Sequence, residues 1–235
     1  MNLFKNRFIA HRGLHKSIII PENSIQAFKN AMGKNYAIEF DINITIDNQI
    51  VIFHDDDLNR LCNKKERIEE VTYDFLKDLK LYESDEKIPL LKELIVEISG
   101  KILLVIEIKK HKNIGILENK LVDLLENYKG KYLICSFEKN ILFWFKKNKP
   151  NFKRGLIFES IPNKFEKYNK TLFLYKYYKT KADFISLDYQ LLDSPVYDFC
   201  VKNSLDLITW TIRNKENFEK VKEKVEEPQT QEYQA

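Results

Sequence analysis

The sequence predicts an α/β barrel, and three observations point there. Short apolar runs alternate with amphipathic, helix-period segments along most of the chain. No GxGxxG turn opens any of these units, which argues against a dinucleotide-binding sheet. Charged residues sit inside and at the ends of several apolar runs, where barrel strands carry their chemistry. There is no internal repeat and no linker. The 235 residues, 44% of them hydrophobic, therefore read as one domain over 1–225, followed by a polar tail over 226–235 that is expected to be disordered.

The elements follow in order. Ile9 to His11 is a short strand ending in Arg12-Gly13. Asn23 or Ser24 can cap a helix bearing Ile25, Phe28 and Met32 on one face. Tyr36 to Ile46 and Ile50 to His54 read as two strands joined by a hairpin at Asp47-Asn48-Gln49. Thr72 caps a short helix, and Pro89 suits the first turn of another that carries Leu90, Leu91, Leu94, Ile95 and Ile98. Lys101 to Lys109 is the near-continuous apolar run of a strand buried on both faces. Four further helix–strand units lead to strands at Tyr132 to Phe137, Gly155 to Phe158, Asp183 to Asp188 and Leu205 to Ile212, with Ser194-Pro195 opening the helix before the last of them. A final helix spans Asn214 to Val225.

Composition removes several function classes. No apolar run approaches the ~18–20 residues of a membrane-spanning helix, and Met1 to Arg7 lacks a secretory pattern. Cys62, Cys135 and Cys200 are odd in number and widely spaced, so neither a disulfide framework nor a zinc site is indicated; a cytoplasmic protein is expected. The net charge of +4 is spread over lysine-rich faces. Tyr175, Tyr177 and Tyr178 between lysines could imitate a nucleic-acid stacking surface, but inward packing of one helix face is the commoner use, and no nucleic-acid partner is expected. Ser136 and Ser186 lack a nucleophile-elbow context, and no histidine is placed to activate Cys62 or Cys135.

The charges inside the strands carry the functional signal. Glu39 and Asp41 are two residues apart on one strand and share a face, as do Glu107 and Lys109. A buried, unpaired carboxylate costs several kcal/mol. Three such acids at strand ends want a common cation, and oxygen ligands suit Mg²⁺ or Ca²⁺ better than zinc. A turn centred between Asp47 and Asn48 would set His54 opposite Asp41, about 4.5–5.5 Å away, whereas a one-residue slip would turn it to the other face. His11 and His54 read as an acid/base pair. Arg12 and Lys109 supply positive charge for an anionic oxygen. His15 is expected in a solvated loop, and His111 at the same mouth is a weaker candidate for a substrate contact. Acid/base groups, a hard cation and fixed positive charge together suit phosphodiester cleavage.

These residues resemble the glycerophosphodiester phosphodiesterase family. The match runs through His11-Arg12-Gly13, Pro21-Glu22-Asn23-Ser24, Glu39-Phe40-Asp41-Ile42, Val51-Ile52-Phe53-His54-Asp55, Arg60, Ile88-Pro89-Leu90-Leu91 and Glu107-Ile108-Lys109. Ser136-Phe137 and Trp210-Thr211 look like later strand-end signatures of that family. The resemblance implies a TIM-type (β/α)8 barrel with a short insertion after the second histidine, at about 55–100. It implies metal-dependent hydrolysis of a small-molecule glycerophosphodiester, such as glycerophosphocholine or glycerophosphoethanolamine, to glycerol 3-phosphate and an alcohol. His11 and His54 would be catalytic. Glu39, Asp41 and Glu107 would hold one divalent cation, Mg²⁺ or Ca²⁺, and Arg12, Lys109 and Trp210 would meet substrate. Pro21, Glu22 and Asn23 would shape the loop behind the site. Lysophospholipase D-like activity and a non-catalytic diester-binding barrel are the alternatives, and no stable membrane insertion is expected. The chain departs from the family pattern after Trp210-Thr211, where the polar tail offers no closing strand. An atypical, incomplete C-terminal closure and a lowered stability are therefore expected.

Overall fold

The computed structural model describes residues 8–161, 163–212 and 215–224. The chain divides into two compact units, residues 10–132 and residues 133 onward with the segment up to Ile9.

The first unit begins with the last two residues of β1 (Ile9–His11). It continues through α1 (Ile25–Gly33), β2 (Ala37–Ile44), β3 (Ile50–Ile52), α2 (Asn59–Cys62), α3 (Tyr73–Leu76), α4 (Leu91–Ile98), β4 (Leu104–Ile108) and α5 (Ile116–Glu126). β1 lies beside β2, which runs parallel to β4 and antiparallel to β3. Ser24 starts α1 as the sequence predicts. Its extended backbone lets Oγ accept the Ala27 N–H at 3.2 Å and donate to the Pro21 carbonyl at 2.7 Å. Such a cap contributes about 1 kcal/mol. α1 then buries Ala27, Phe28 and Ala31, with Phe28 edge-on to Phe40 of β2 at 5.8 Å. Thr72 likewise caps α3 by accepting the Phe75 N–H.

Two local expectations need correction. The hairpin pairs Ile42 with Ile52 and Ile44 with Ile50, so Asp41 faces Phe53 and not His54. The cause is the turn. The Asn48 N–H bonds to the Thr45 carbonyl, Asn48 takes a left-handed φ of 59°, and the Thr45 N–H closes on the Gln49 carbonyl. That is a three-residue loop, where a two-residue one was assumed, and it shifts the register by one. His54 thus lies just beyond β3. Pro89 stands before the N-cap, Leu90, instead of in the first turn of α4; the Glu93 carboxylate accepts the Leu90 N–H at 2.9 Å. The segment between β3 and α4 builds a small core of its own from Phe53, Leu58, Leu61, Ile68, Leu76, Leu81 and Ile88.

The second unit holds β5 (Tyr132–Ser136) from its second residue on and alternates it with α6 (Lys139–Asn148), β6 (Arg154–Phe158), α7 (Asn169–Thr180), β7 (Phe184–Asp188), α8 (Pro195–Lys202), β8 (Asp206–Trp210) and α9 (Lys215–Lys224). β5 to β8 pair in sequence order, all parallel. Ser194 caps α8 with Pro195 in its first turn, as expected. In α7 the buried Phe173 stacks on Tyr177 at 6.0 Å and both rings pack on Phe199, while Tyr175 and Tyr178 face outward. The aromatic stretch therefore serves packing first. The described residues hold eight strands, β3 being the hairpin strand, and no strand among them follows β8. The tail over 226–235 lies outside the described residues. No helix among the described residues is long and apolar enough to cross a membrane.

Candidate active site

All the candidate site residues except Trp210 fall in the first unit. β2 is buried along its whole length, so Glu39 and Asp41 are out of water at 2% and 1% exposure. Parallel pairing sets Asp41 beside Glu107 of β4. The three carboxylates each offer an oxygen within 4.8 Å of the others. Burial, and then repulsion from Asp41 and Glu107, raises the Glu39 carboxyl well above its usual range. Burial and the charge of Asp41 raise Glu107 as well. For Asp41, burial pushes the same way, but the Lys109 ammonium and the Arg12 guanidinium outweigh it and hold this carboxyl low. Two proton-hungry acids beside an ionised one form a set that an added cation would relieve. The donors are all oxygen, and the enclosed Asp41 Oδ1 makes no hydrogen bond, its near charge being the Lys109 ammonium at 3.4 Å. Both facts fit a hard divalent ion.

Positive charge surrounds this cluster. Lys109 Nζ lies 2.7 Å from Glu107 and 3.4 Å from Asp41. Arg12 Nε lies 3.4 Å from Asp41, its Nη1 donates to Glu22 at 2.8 Å, and its backbone N–H donates to Glu39 at 3.1 Å. The Arg12 conformation is set locally. Arg12 has a left-handed φ of 56°, followed by Gly13 at 80°, and the Gly13 N–H closes the turn on the Ala10 carbonyl. A Cβ at Gly13 would sit 2.8 Å from the Ala27 backbone, so only glycine fits against α1 there. Asn23, also left-handed and buried, donates to Asp41 at 2.9 Å and accepts the Asp41 N–H at 3.4 Å.

The two histidines differ in surroundings. His11 ends β1 with Nε2 at 3.9 Å from Glu39. Burial, then the adjacent Arg12 charge, pushes its imidazole down to about 3, so the ring is neutral near pH 7. His54 lies near His11, Asp41 and Glu107. Its Nδ1 sits 2.6 Å from Asp55 Oδ1. Asp55 in turn accepts two bonds from Arg60, at 2.7 and 3.0 Å. Arg60 also donates twice to Glu22, at 2.7 and 2.9 Å. Burial would raise Asp55, but His54 and Arg60 hold it below the usual carboxylate range.

The chain His54–Asp55–Arg60–Glu22–Arg12 is the part that residue reading missed. The sequence assigns Asp55 and Arg60 no role and Glu22 only the shaping of the loop behind the site. The only signal for them was their place within the matched motifs. His111 turns inward: its side chain is 1% exposed and faces Glu118, so the structure removes it from the mouth. Trp210 ends β8 in the other unit, where its ring stands edge-on to Phe137 at 5.7 Å. Burial pushes the Cys62 and Cys200 thiols up to about 11 and about 12, which disfavours thiolate chemistry.

The fold and this site define a class: a TIM-type α/β protein with a three-carboxylate cluster beside histidines and fixed cations. The chain belongs to the glycerophosphoryl diester phosphodiesterase family, which it matches over residues 11–226. A glycerophosphodiester phosphodiesterase of Caldanaerobacter subterraneus subsp. tengcongensis is 32% identical over 232 residues, covering 92% of this chain and 90% of the relative. The solved structure of an Oleispira antarctica phosphodiesterase in complex with the product sn-glycerol-3-phosphate superposes with a TM-score of 0.81 at 21% identity, over 97% of this chain and 92% of that one. A glycerophosphodiester phosphodiesterase from Thermotoga maritima gives 0.75 at 24% identity, over 96% and 94%. The solved structures show the shared fold class; the family match and the sequence relative assign the chain.

Proposed function

We propose that this chain hydrolyses glycerophosphodiesters, such as glycerophosphocholine or glycerophosphoethanolamine, to glycerol 3-phosphate and an alcohol. The observation that carries the reading is the cluster of Glu39, Asp41 and Glu107 oxygens within 4.8 Å, set beside Arg12, Lys109 and the histidines in a member of this family. In this reading the three carboxylates hold one divalent cation, Mg²⁺ or Ca²⁺. When bound, such an ion supplies positive charge that polarises a phosphate oxygen and relieves the repulsion among the acids. Arg12 and Lys109 orient the phosphate and stabilise negative charge that builds on its oxygens.

His11, neutral at physiological pH, accepts a proton from the water whose oxygen attacks phosphorus. His54 has Nδ1 engaged by Asp55, so Nε2 is the nitrogen that passes a proton to the leaving alkoxide. Oxygen–phosphorus bond formation and cleavage then balance with one proton taken and one given. Trp210 is kept as a substrate contact on the family pattern alone.

The test is release of glycerol 3-phosphate from glycerophosphocholine with Mg²⁺ or Ca²⁺, repeated with chelator and with His11→Ala. Turnover that chelator and the substitution both abolish supports the reading. A folded, metal-supplied protein that leaves both named diesters intact would refute it.

A further inference from the structure

We propose that His111 is a positioning residue that aims the Lys109 ammonium at the phosphate; this rests on the role given to Lys109 above. The loop from Lys109 to Gly115 joins β4 to α5, and the side chain of His111 points back under it. His111 Nδ1 lies 2.9 Å from the Lys109 carbonyl oxygen. Its Nε2 lies 3.1 Å from Glu118 Oε1, in the first turn of α5. Glu118 Oε2 accepts the Gly115 N–H at 2.6 Å. The Lys109 N–H donates to the Ile42 carbonyl of β2 at 3.1 Å.

Lys109 is thereby tied at both ends of its backbone, by β2 on one side and by His111 on the other. A lysine side chain has four rotatable bonds, and its reach is set by where its peptide is held. With the backbone fixed, Nζ meets Glu107 at 2.7 Å and Asp41 at 3.4 Å.

The chemistry of the pair explains why a histidine is used. A carbonyl only accepts, so the hydrogen of this contact sits on Nδ1. Nε2 then faces a Glu118 carboxylate oxygen at ion-pair distance, 3.1 Å, and neither of these two buried atoms has a hydrogen-bond partner. The other charged group acting on the ring is Glu69, on the short 3-10 turn Ile68–Glu70, whose carboxylate also accepts the Lys112 backbone N–H. A pair with side chains 1% and 0% exposed adds little stability over an apolar pair of the same volume. Holding a particular backbone carbonyl is what such a pair does and an apolar one cannot.

The experiment compares His111→Asn with His111→Gln in the full chain. The asparagine amide overlays Nδ1 and keeps a donor for the Lys109 carbonyl. The glutamine amide overlays Nε2, keeps Glu118 company and loses that carbonyl. Lysine acetylation by acetic anhydride is followed by mass spectrometry, with exposed Lys77 and Lys80 as internal references, beside kcat and KM for glycerophosphocholine. In the glutamine variant Lys109 should label about tenfold faster, the equivalent of one lost hydrogen bond, and KM should rise by a similar factor with kcat far less affected. The asparagine variant should stay close to wild type in both. Unchanged Lys109 labelling in a folded glutamine variant would overturn the proposal. So would an asparagine variant worse than the glutamine one, since packing volume alone predicts that order. Should wild type show no turnover, the reading of the activity fails, while the labelling comparison still judges His111.

Discussion

Replacing Asp55 by asparagine isolates the carboxylate behind His54. Oδ1 faces His54 Nδ1 at 2.6 Å and Arg60 Nη2 at 3.0 Å, while Oδ2 takes Arg60 Nε at 2.7 Å. An asparagine amide can serve one of these partners with its oxygen but must turn its NH₂ toward the other. Arg60 is 41% exposed and retains both bonds to Glu22, so the lost ion pair should cost only about 0.5–1 kcal/mol. That corresponds to a fall in melting temperature of about 1–4 °C for a chain of this size. The cost to catalysis should be larger. A charge-assisted hydrogen bond that orients the proton donor is worth about 1.5–3 kcal/mol, or roughly 10- to 150-fold in kcat. The assay is steady-state release of glycerol 3-phosphate from glycerophosphocholine as a function of pH, beside a thermal melt. Asp55 is held below its ordinary carboxylate value in the fold, so its stabilisation is present above that value and lost as the pH falls through the depressed one. The substitution should therefore flatten the acid limb of the stability profile. Wild-type kcat in a folded Asp55→Asn protein would refute the argument, as would a loss of stability far beyond the exposed-pair range.

Three further outcomes follow from the same geometry. Gly13→Ala forces an L-residue to φ 80° and a methyl against the Ala27 backbone at 2.8 Å; about 2–5 kcal/mol of stability should go, read by urea unfolding. Adding Mg²⁺ or Ca²⁺ should raise the melting temperature, by the equivalent of about 2.7 kcal/mol at a hundredfold excess over Kd, and Glu39→Gln should reduce that shift. Burial would lower the His111 imidazole, but Glu118 and the Lys109 carbonyl hold it above its ordinary 6.5. Its contribution is complete below that pH and lost as the pH rises through the folded value, so melting between about pH 6 and about pH 9 should fall more steeply in wild type than in Glu118→Gln.

What could be read from the chain was whatever a few neighbouring residues dictate. Period two puts Glu39 and Asp41 on one face whatever the rest of the protein does. Ser24, Thr72 and Ser194 cap their helices because the acceptor and the orphan N–H groups lie within three residues. The motifs from His11 to Lys109 marked the family before any contact was known. The hairpin shows where local reading stops. Asp47-Asn48 signals a turn, but loop length is decided by how Thr45, Asn48 and Gln49 bond, and the register moved by one.

The tertiary structure decided everything that joins distant segments. Glu107 meets Asp41 because β4 pairs beside β2 in one register, which buried side chains across both strands select together. Arg60 reaches Glu22 across 38 positions, and through it His54 and Arg12 share one ionic chain. His111 turned inward because Glu118, seven residues on, offered it a buried partner. Periodicity and capping are properties of short stretches and survive in one dimension. Register and ionic partnership depend on which surfaces become buried against each other, and only the folded chain sets that.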